Sequence, residues 1–199
     1  MAAIMMAGKV VVAWFPGSWN TARVSEEQEY ASTLVRAGFH DREEVLAAVL
    51  ESFEDDLSEE DAEALVTRLW TARLAEQETW PATTEVDRLL TAFETMEARG
   101  IVARADFTCC GNCGHTEIGA EAEDGARGYV FFHQQDTERA AEGGGLYLAY
   151  GAFANGDTSA IGREVVDTLT AADLPTTWDG TADQRILVSP LNWQLRLAD

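Results

Sequence analysis

The hydrophobic period of this chain changes once, between Gly100 and Ile101, from a helical repeat to a strand repeat. Upstream, three helices have legible starts and stops. Asp41 can cap a helix with Val45, Leu46, Val49, Leu50 and Phe53 on one face, and Ser58-Glu59-Glu60-Asp61 resembles a capping box ahead of Leu65, Val66, Leu69 and Leu74. A third helix begins after Pro81, near Thr83 or Thr84, turns Val86, Leu89, Leu90 and Phe93 inward, and stops at Gly100, which tolerates a left-handed backbone. Downstream, strands are predicted over 101–109, 129–135, 145–152, 176–178 and 185–189. Helices are predicted over 116–124 and 158–172, and 136–144 reads as a polar, glycine-rich connection.

That order, βαββαβ with a last strand split into a hairpin, predicts an α+β fold: a helical N-terminal half packed on a ferredoxin-like antiparallel sheet with helices on one face. The expected organisation is a three-helix region over 23–100 and an α+β region over 101–199, with 23–199 as one folding unit. Residues 1–22 read as an extension or an extra strand, Lys9 to Phe15, ahead of Pro16-Gly17. In this topology the first two strands run the same way, because the crossover helix returns the chain to the same end. Their C-terminal ends share one rim, separated by an intervening strand, a gap of roughly 10 Å at an inter-strand spacing of about 4.8 Å.

The rim matters because Cys109-Cys110-Gly111-Asn112-Cys113-Gly114-His115 gathers all three cysteines and one of three histidines of the chain at the end of the first strand. Cys110-x-x-Cys113-Gly114 is half a zinc knuckle: the spacing lets both sulfurs face one ion, and the glycine relieves the turn behind the second. Cys109, Cys110, Cys113, His115 and His133 are the candidate metal ligands and zinc the candidate ion, although the side chains of adjacent Cys109 and Cys110 diverge on an extended chain. The rival chemistry is redox, with a Cys-x-x-Cys thiolate placed before a helix and His115 or His133 as acid or base. The third reading is packing by small thiols. Gln134, Gln135, Asp136 and Glu138 form a polar set at the end of the second strand, a candidate binding rim. Gly143-Gly144-Gly145 enters a strand and has no following Lys, so it is no phosphate cradle.

Charge narrows the function classes. Among 199 residues there are 35 acids, 13 arginines and one lysine, Lys9, for a net charge of −21, which repels nucleic-acid phosphates. The acids are spread over several helices, as on a solvated surface, while the sharper alternative is an inhibitor or immunity-type protein engaging a basic partner. The apolar run Val10 to Phe15 is too short to span a bilayer and no secretory h-region is seen, so the expected location is cytoplasmic, with no membrane partner. An odd number of cysteines fits a reducing compartment.

Phe107-Thr108-Cys109-Cys110-x-x-Cys113-Gly114-His115-x-Glu117-Ile118, then Gly128-Tyr129-Val130-Phe131-Phe132-His133-Gln134-Gln135-Asp136-Thr137-Glu138, then Thr177-Trp178-Asp179-Gly180, together resemble an uncharacterised bacterial family of unknown function. The resemblance runs from about Leu34 to Arg196 and implies no activity; it implies only that the cysteine loop and the His-Gln-Gln-Asp segment belong to one recurring unit. The leading expectation is therefore a binding or regulatory protein with a zinc-holding Cys/His rim and a protein partner. A thiol oxidoreductase using Cys110 and Cys113 is the enzyme alternative.

Overall fold

Asp41, Ser58 and Thr84 each end an extended stretch and open a helix, as their side chains require. The computed structural model describes residues 25–154 and 156–198, so the expected extension 1–22 with its strand lies outside the described residues. Helices α1 (Glu26–Ala37), α2 (Arg42–Ser52), α3 (Glu59–Gln77) and α4 (Glu85–Glu97) precede the period change. In α2 the box is reciprocal, with Glu44 N–H donating to Asp41 Oδ1 at 2.8 Å and Asp41 N–H to Glu44 Oε2 at 2.9 Å. Thr84 and Asp87 repeat it at 3.1 and 2.8 Å.

Among the described residues the helical region thus holds four helices where three are expected. The additional one, α1, has Ser25 at its cap with no side-chain bond, and only Ala31, Val35 and Ala37 are buried, so its apolar stripe is too thin to read locally. Each of the four helices carries acids in its first turn, where the helix dipole favours them; much of the acidity of this half has that local cause.

Strands β1 (Ile101–Arg104), β2 (Gly128–Phe131), β3 (Leu146–Ala152), β4 (Thr176–Thr177) and β5 (Ile186–Val188) form one mixed sheet in the order β1-β2-β3-β5-β4. The α+β class is as the sequence indicates; the ferredoxin-like strand order and wholly antiparallel pairing are not. β1 lies directly beside β2, in parallel, with Val102 opposite Tyr129 and Arg104 opposite Phe131. β3 has one edge bonded to β2 and the other to β5, so no edge of it remains for β1. Two helices also differ from expectation. α6 (Gln134–Ala141) replaces the polar connection and shortens the second strand, and α5 (Gly111–Glu117) starts five residues early, continuing into a 3-10 turn over Ile118–Glu121.

Strand alternation gives the sheet two buried faces, with helices on both. Ile101, Ala103, Val130, Leu148 and Tyr150 meet α4 and α7 (Thr158–Ala171), through Leu89, Phe93, Met96, Ile161, Val165 and Leu169. Val102, Phe131 and Ala149 face the other way, under Ile118 at the end of α5. The first three helices keep their own core of Val35, Val45, Val49, Leu65, Val66 and Trp70. No helix among the described residues is long and apolar enough to cross a membrane.

The C-terminal segment, which follows β5, joins the two cores. Trp193 packs its ring against Phe39 and Phe132, with centroids 6.3 and 6.1 Å away, and donates its indole N–H to Ala37 O at 3.1 Å. Leu197 then enters the α1–α3 core, and Arg196 pairs with Asp87 at 3.0 Å. Trp193→Ala removes a nearly buried indole from this junction and is expected to destabilise the fold by about 3–5 kcal/mol. A urea unfolding midpoint unchanged from wild type would refute that placement.

Candidate functional site

β1 and β2 are neighbours, so their pairing runs past the strand ends and ties the two sequence motifs together. Phe132 N–H donates to Arg104 O at 3.3 Å, Phe107 N–H to Phe132 O at 2.8 Å and Gln134 N–H to Thr108 O at 3.1 Å. Thr137 adds its hydroxyl to Asp106 Oδ1 at 2.5 Å. The cysteine loop and the His-Gln-Gln-Asp segment are in contact, with no intervening strand.

Within the loop, Asp106 and Thr108 take φ values of 50° and 60°, the left-handed region that few non-glycine residues adopt. The side chains of adjacent Cys109 and Cys110 do not diverge as expected. The Sγ atoms of Cys109, Cys110 and Cys113 all lie within 4.8 Å of one another, and those of Cys109 and Cys113 are 3.6 Å apart. Cys110 caps α5 from an extended backbone (φ −156°), and its carbonyl accepts Gly114 N–H at 3.0 Å. The N–H of Cys113 lowers the Cys110 thiol pKa, helped by the neighbouring thiols and by Asn112 N–H. The Cys113 thiol is pushed up to about 11, first by its hydrogen bond with Cys109 and then by Cys110. Negative charge in the free cluster therefore settles on Cys110 in preference to Cys113.

Neither candidate histidine belongs to the thiol cluster. His115, exposed on α5, places Nδ1 3.1 Å from the Tyr129 hydroxyl and its ring 5.1 Å from that of Phe131. Partial burial lowers its pKa, with Arg185 adding to the effect. His133 is buried beneath Gly111, where a Cβ would sit 3.5 Å from its Nε2. That Nε2 lies 3.0 Å from Asp136 Oδ2, while Nδ1 has no partner among the described residues. Burial lowers the His133 pKa against the opposing pull of Asp136.

The polar set at 134–138 does not form one surface. Asp136 is 3% exposed and is a structural anchor: Arg185 donates one N–H to Oδ1 at 3.1 Å and another to Oδ2, and Arg185 also reaches Tyr147 O at 2.7 Å. Gln134 is half-buried, whereas Gln135 and Glu138 face α1 across an open groove of about 570 Å³ with Glu26, Glu29, Tyr30 and Glu142. Burial, Asp106 and Glu142 raise the Glu138 pKa. Arg185, Tyr147 and Tyr129 were not identifiable from sequence. Arg185 stands 38 residues from Tyr147, and only the β3–β5 pairing brings them together.

α5 reaches the sheet because Gly114 has no side chain: a Cβ there would lie 2.4 and 2.6 Å from atoms of the Phe131 ring. Residues 20–197 match the family described as Domain of unknown function (DUF6891), a span that includes both motifs and the Thr177–Gly180 turn. No curated protein and no solved structure matches the chain.

Two outcomes follow from this geometry. Gly114→Ala is expected to cost about 1–3 kcal/mol, because fully buried Phe131 cannot retreat; Gly119→Ala, with nothing within 4 Å of its Cβ, is the neutral control. Equal unfolding midpoints for the two variants would contradict the packing of α5 on Phe131. Substoichiometric iodoacetamide at neutral pH should label Cys110 ahead of Cys113, read by peptide mass mapping, and faster labelling of Cys113 would contradict the charge distribution.

Proposed function

The chain belongs to the family described as Domain of unknown function (DUF6891), and we propose that it is a binding or regulatory protein whose Cys109, Cys110 and Cys113 thiolates hold one soft metal ion, zinc first among them. The convergence of three sulfurs within 4.8 Å carries this reading. At a zinc–sulfur distance of about 2.3 Å, the edge of a tetrahedral site is about 3.8 Å. Cys109 and Cys113, at 3.6 Å, already stand at that edge, far from the roughly 2.05 Å of a disulfide. The Cys110 sulfur lies within 4.8 Å of both, in a loop that Thr108 and the Phe132–Gln134 backbone hold in place.

Three protein ligands leave a fourth position open, for water or for a donor atom of a partner protein. An ion so placed would stiffen the seven residues of α5, too short to be stable alone, and present them as an ordered surface. Three free thiols fit a reducing compartment, in keeping with a cytoplasmic protein. A second reading, thiol–disulfide exchange, is favoured by the lowered pKa of Cys110 and the closeness of Cys109 to Cys113.

Metal titration separates the two. Reduced, metal-free protein titrated with Co²⁺ should develop thiolate-to-cobalt charge-transfer absorption saturating at one equivalent and displaced by Zn²⁺. Cys110→Ser and Cys113→Ser should each weaken Zn²⁺ binding by at least about 100-fold, the upper end of what mere outer-shell losses produce. His115→Ala should leave affinity unchanged. Absence of the absorption, together with a Cys110–Cys113 disulfide under mild oxidation, would replace the metal reading with the redox one.

A further inference from the structure

On the second face of the sheet, the small core under Ile118 takes in Val102 of β1, Phe131 of β2 and Ala149 of β3 but no residue of β4 or β5. Ala149 faces Phe131 on that side, so Tyr147, two residues earlier on β3, lies on the same face. Tyr147 pairs with Leu187 of β5, and Leu187 with Thr177 of β4, which sets the three in one row across three strands. This row floors an open cleft of about 400 Å³, walled by Gln184 and Arg185 at the start of β5 and by Asp136 and Arg139 of α6. The volume lies within the roughly 300–1,000 Å³ typical of small-molecule sites.

The chemistry of the lining is one-sided. On a chain of net charge −21, this cleft brings two guanidinium groups to one aromatic ring, with Arg139 Cζ 5.7 Å and Arg185 Cζ 5.5 Å from the Tyr147 centroid. Its one carboxylate, Asp136, is already used by Arg185 and His133. Arg139 forms no ion pair or side-chain hydrogen bond among the described residues, although its side chain is exposed. Gln184 Oε1 accepts the N–H of Asp179 at 2.9 Å, which leaves the Gln184 amide N–H groups to donate. The Nε of Arg185 is buried and its Nη2 donates to Asp136 and to Tyr147 O, which leaves the second N–H of Nη1 as the donor it can offer. One uncompensated positive charge on Arg139, the remaining N–H groups of Arg185 and Gln184 and a flat ring are the complement of an anion with an apolar body. Arg139 also borders the groove lined by Glu26, Glu29, Glu138 and Glu142, so these near acids oppose such a ligand; screening over about 8 Å at physiological salt removes only the farther ones, while the guanidinium groups act in direct contact.

We propose that this cleft is a binding site for a small organic anion, whose carboxylate or phosphate oxygens sit between Arg139, Arg185 and Gln184 and whose apolar body lies on Tyr147 and Leu187. The site is separate from the thiol cluster and does not depend on a metal there.

The test is a titration of the full-length, isotope-labelled protein with phenyl phosphate and with benzoate at physiological salt, following the arginine Nε–Hε and Tyr147 ring signals by NMR. Saturable shifts at both arginines and Tyr147 are expected with at least one probe, and the stronger of the two identifies the oxyanion as phosphate or carboxylate. Inorganic phosphate and acetate, which lack the apolar body, should bind more weakly than their aryl counterparts. Arg139→Gln alters an exposed side chain and should fold as wild type while losing about tenfold or more in affinity, the usual worth of one charged hydrogen bond. Tyr147→Leu should erase the preference for the aryl probes, and a variant with all three cysteines changed to Ser should bind as wild type. Shifts that do not saturate, or affinity unchanged in Arg139→Gln, would overturn the proposal.

Discussion

The buried carboxylate of Asp136 determines where four parts of the chain meet. It opens α6, accepts two N–H groups from Arg185 at the entrance to β5, and faces the imidazole of His133, which in turn supports Gly111 beneath the thiol loop. Arg185 completes the set through the carbonyl of Tyr147 on β3. A charge that is 3% exposed is tolerated only with such partners, since leaving it unpaired costs several kcal/mol. Order at the end of β2, at the start of β5 and under α5 therefore comes from one interaction.

The two faces of β2 then divide the labour. Val130 and Phe132 point into the large core with α4 and α7, which supplies stability, while Phe131 and Tyr129 point toward α5 and supply the floor of the thiol loop. α5 has too few residues to persist in water and is held by what it touches: Phe131 against Gly114, Tyr129 against His115, and Ile118 in the small second core. The thiol cluster at the start of this element is thus positioned by the sheet beneath it. The uncovered half of the same face is left to Tyr147, Leu187 and Thr177, where the arginines gather.

Much of this was legible from residues alone. The caps at Asp41, Ser58 and Thr84, the stop at Gly100 and the strand at Ile101 depend on hydrogen bonds within four residues or on the burial period of a single element. α1 escaped notice because its buried set is thin, and α6 because polar anchors at Asp136 and Thr137, more than an apolar stripe, hold it. The spacing of Cys110 and Cys113 points both sulfurs to one place, but that adjacent Cys109 joins them does not follow from spacing. Nor does the place of the histidines, since His115 is drawn to Tyr129 and His133 to Asp136 by groups that the cysteine motif does not contain.

The sequence by itself determined which residues start α2, α3 and α4, where the chain turns from helix to strand, and that three thiols share one short loop, because these are local matters of hydrogen bonding and period. Only the tertiary structure decided that β1 lies against β2, which joins the two motifs, and that β5 lies against β3, which sets Arg185 beside Tyr147. A strand's own residues specify a buried face but not the neighbour at its edge. That choice depends on which edges the rest of the chain leaves free, and no local pattern records it.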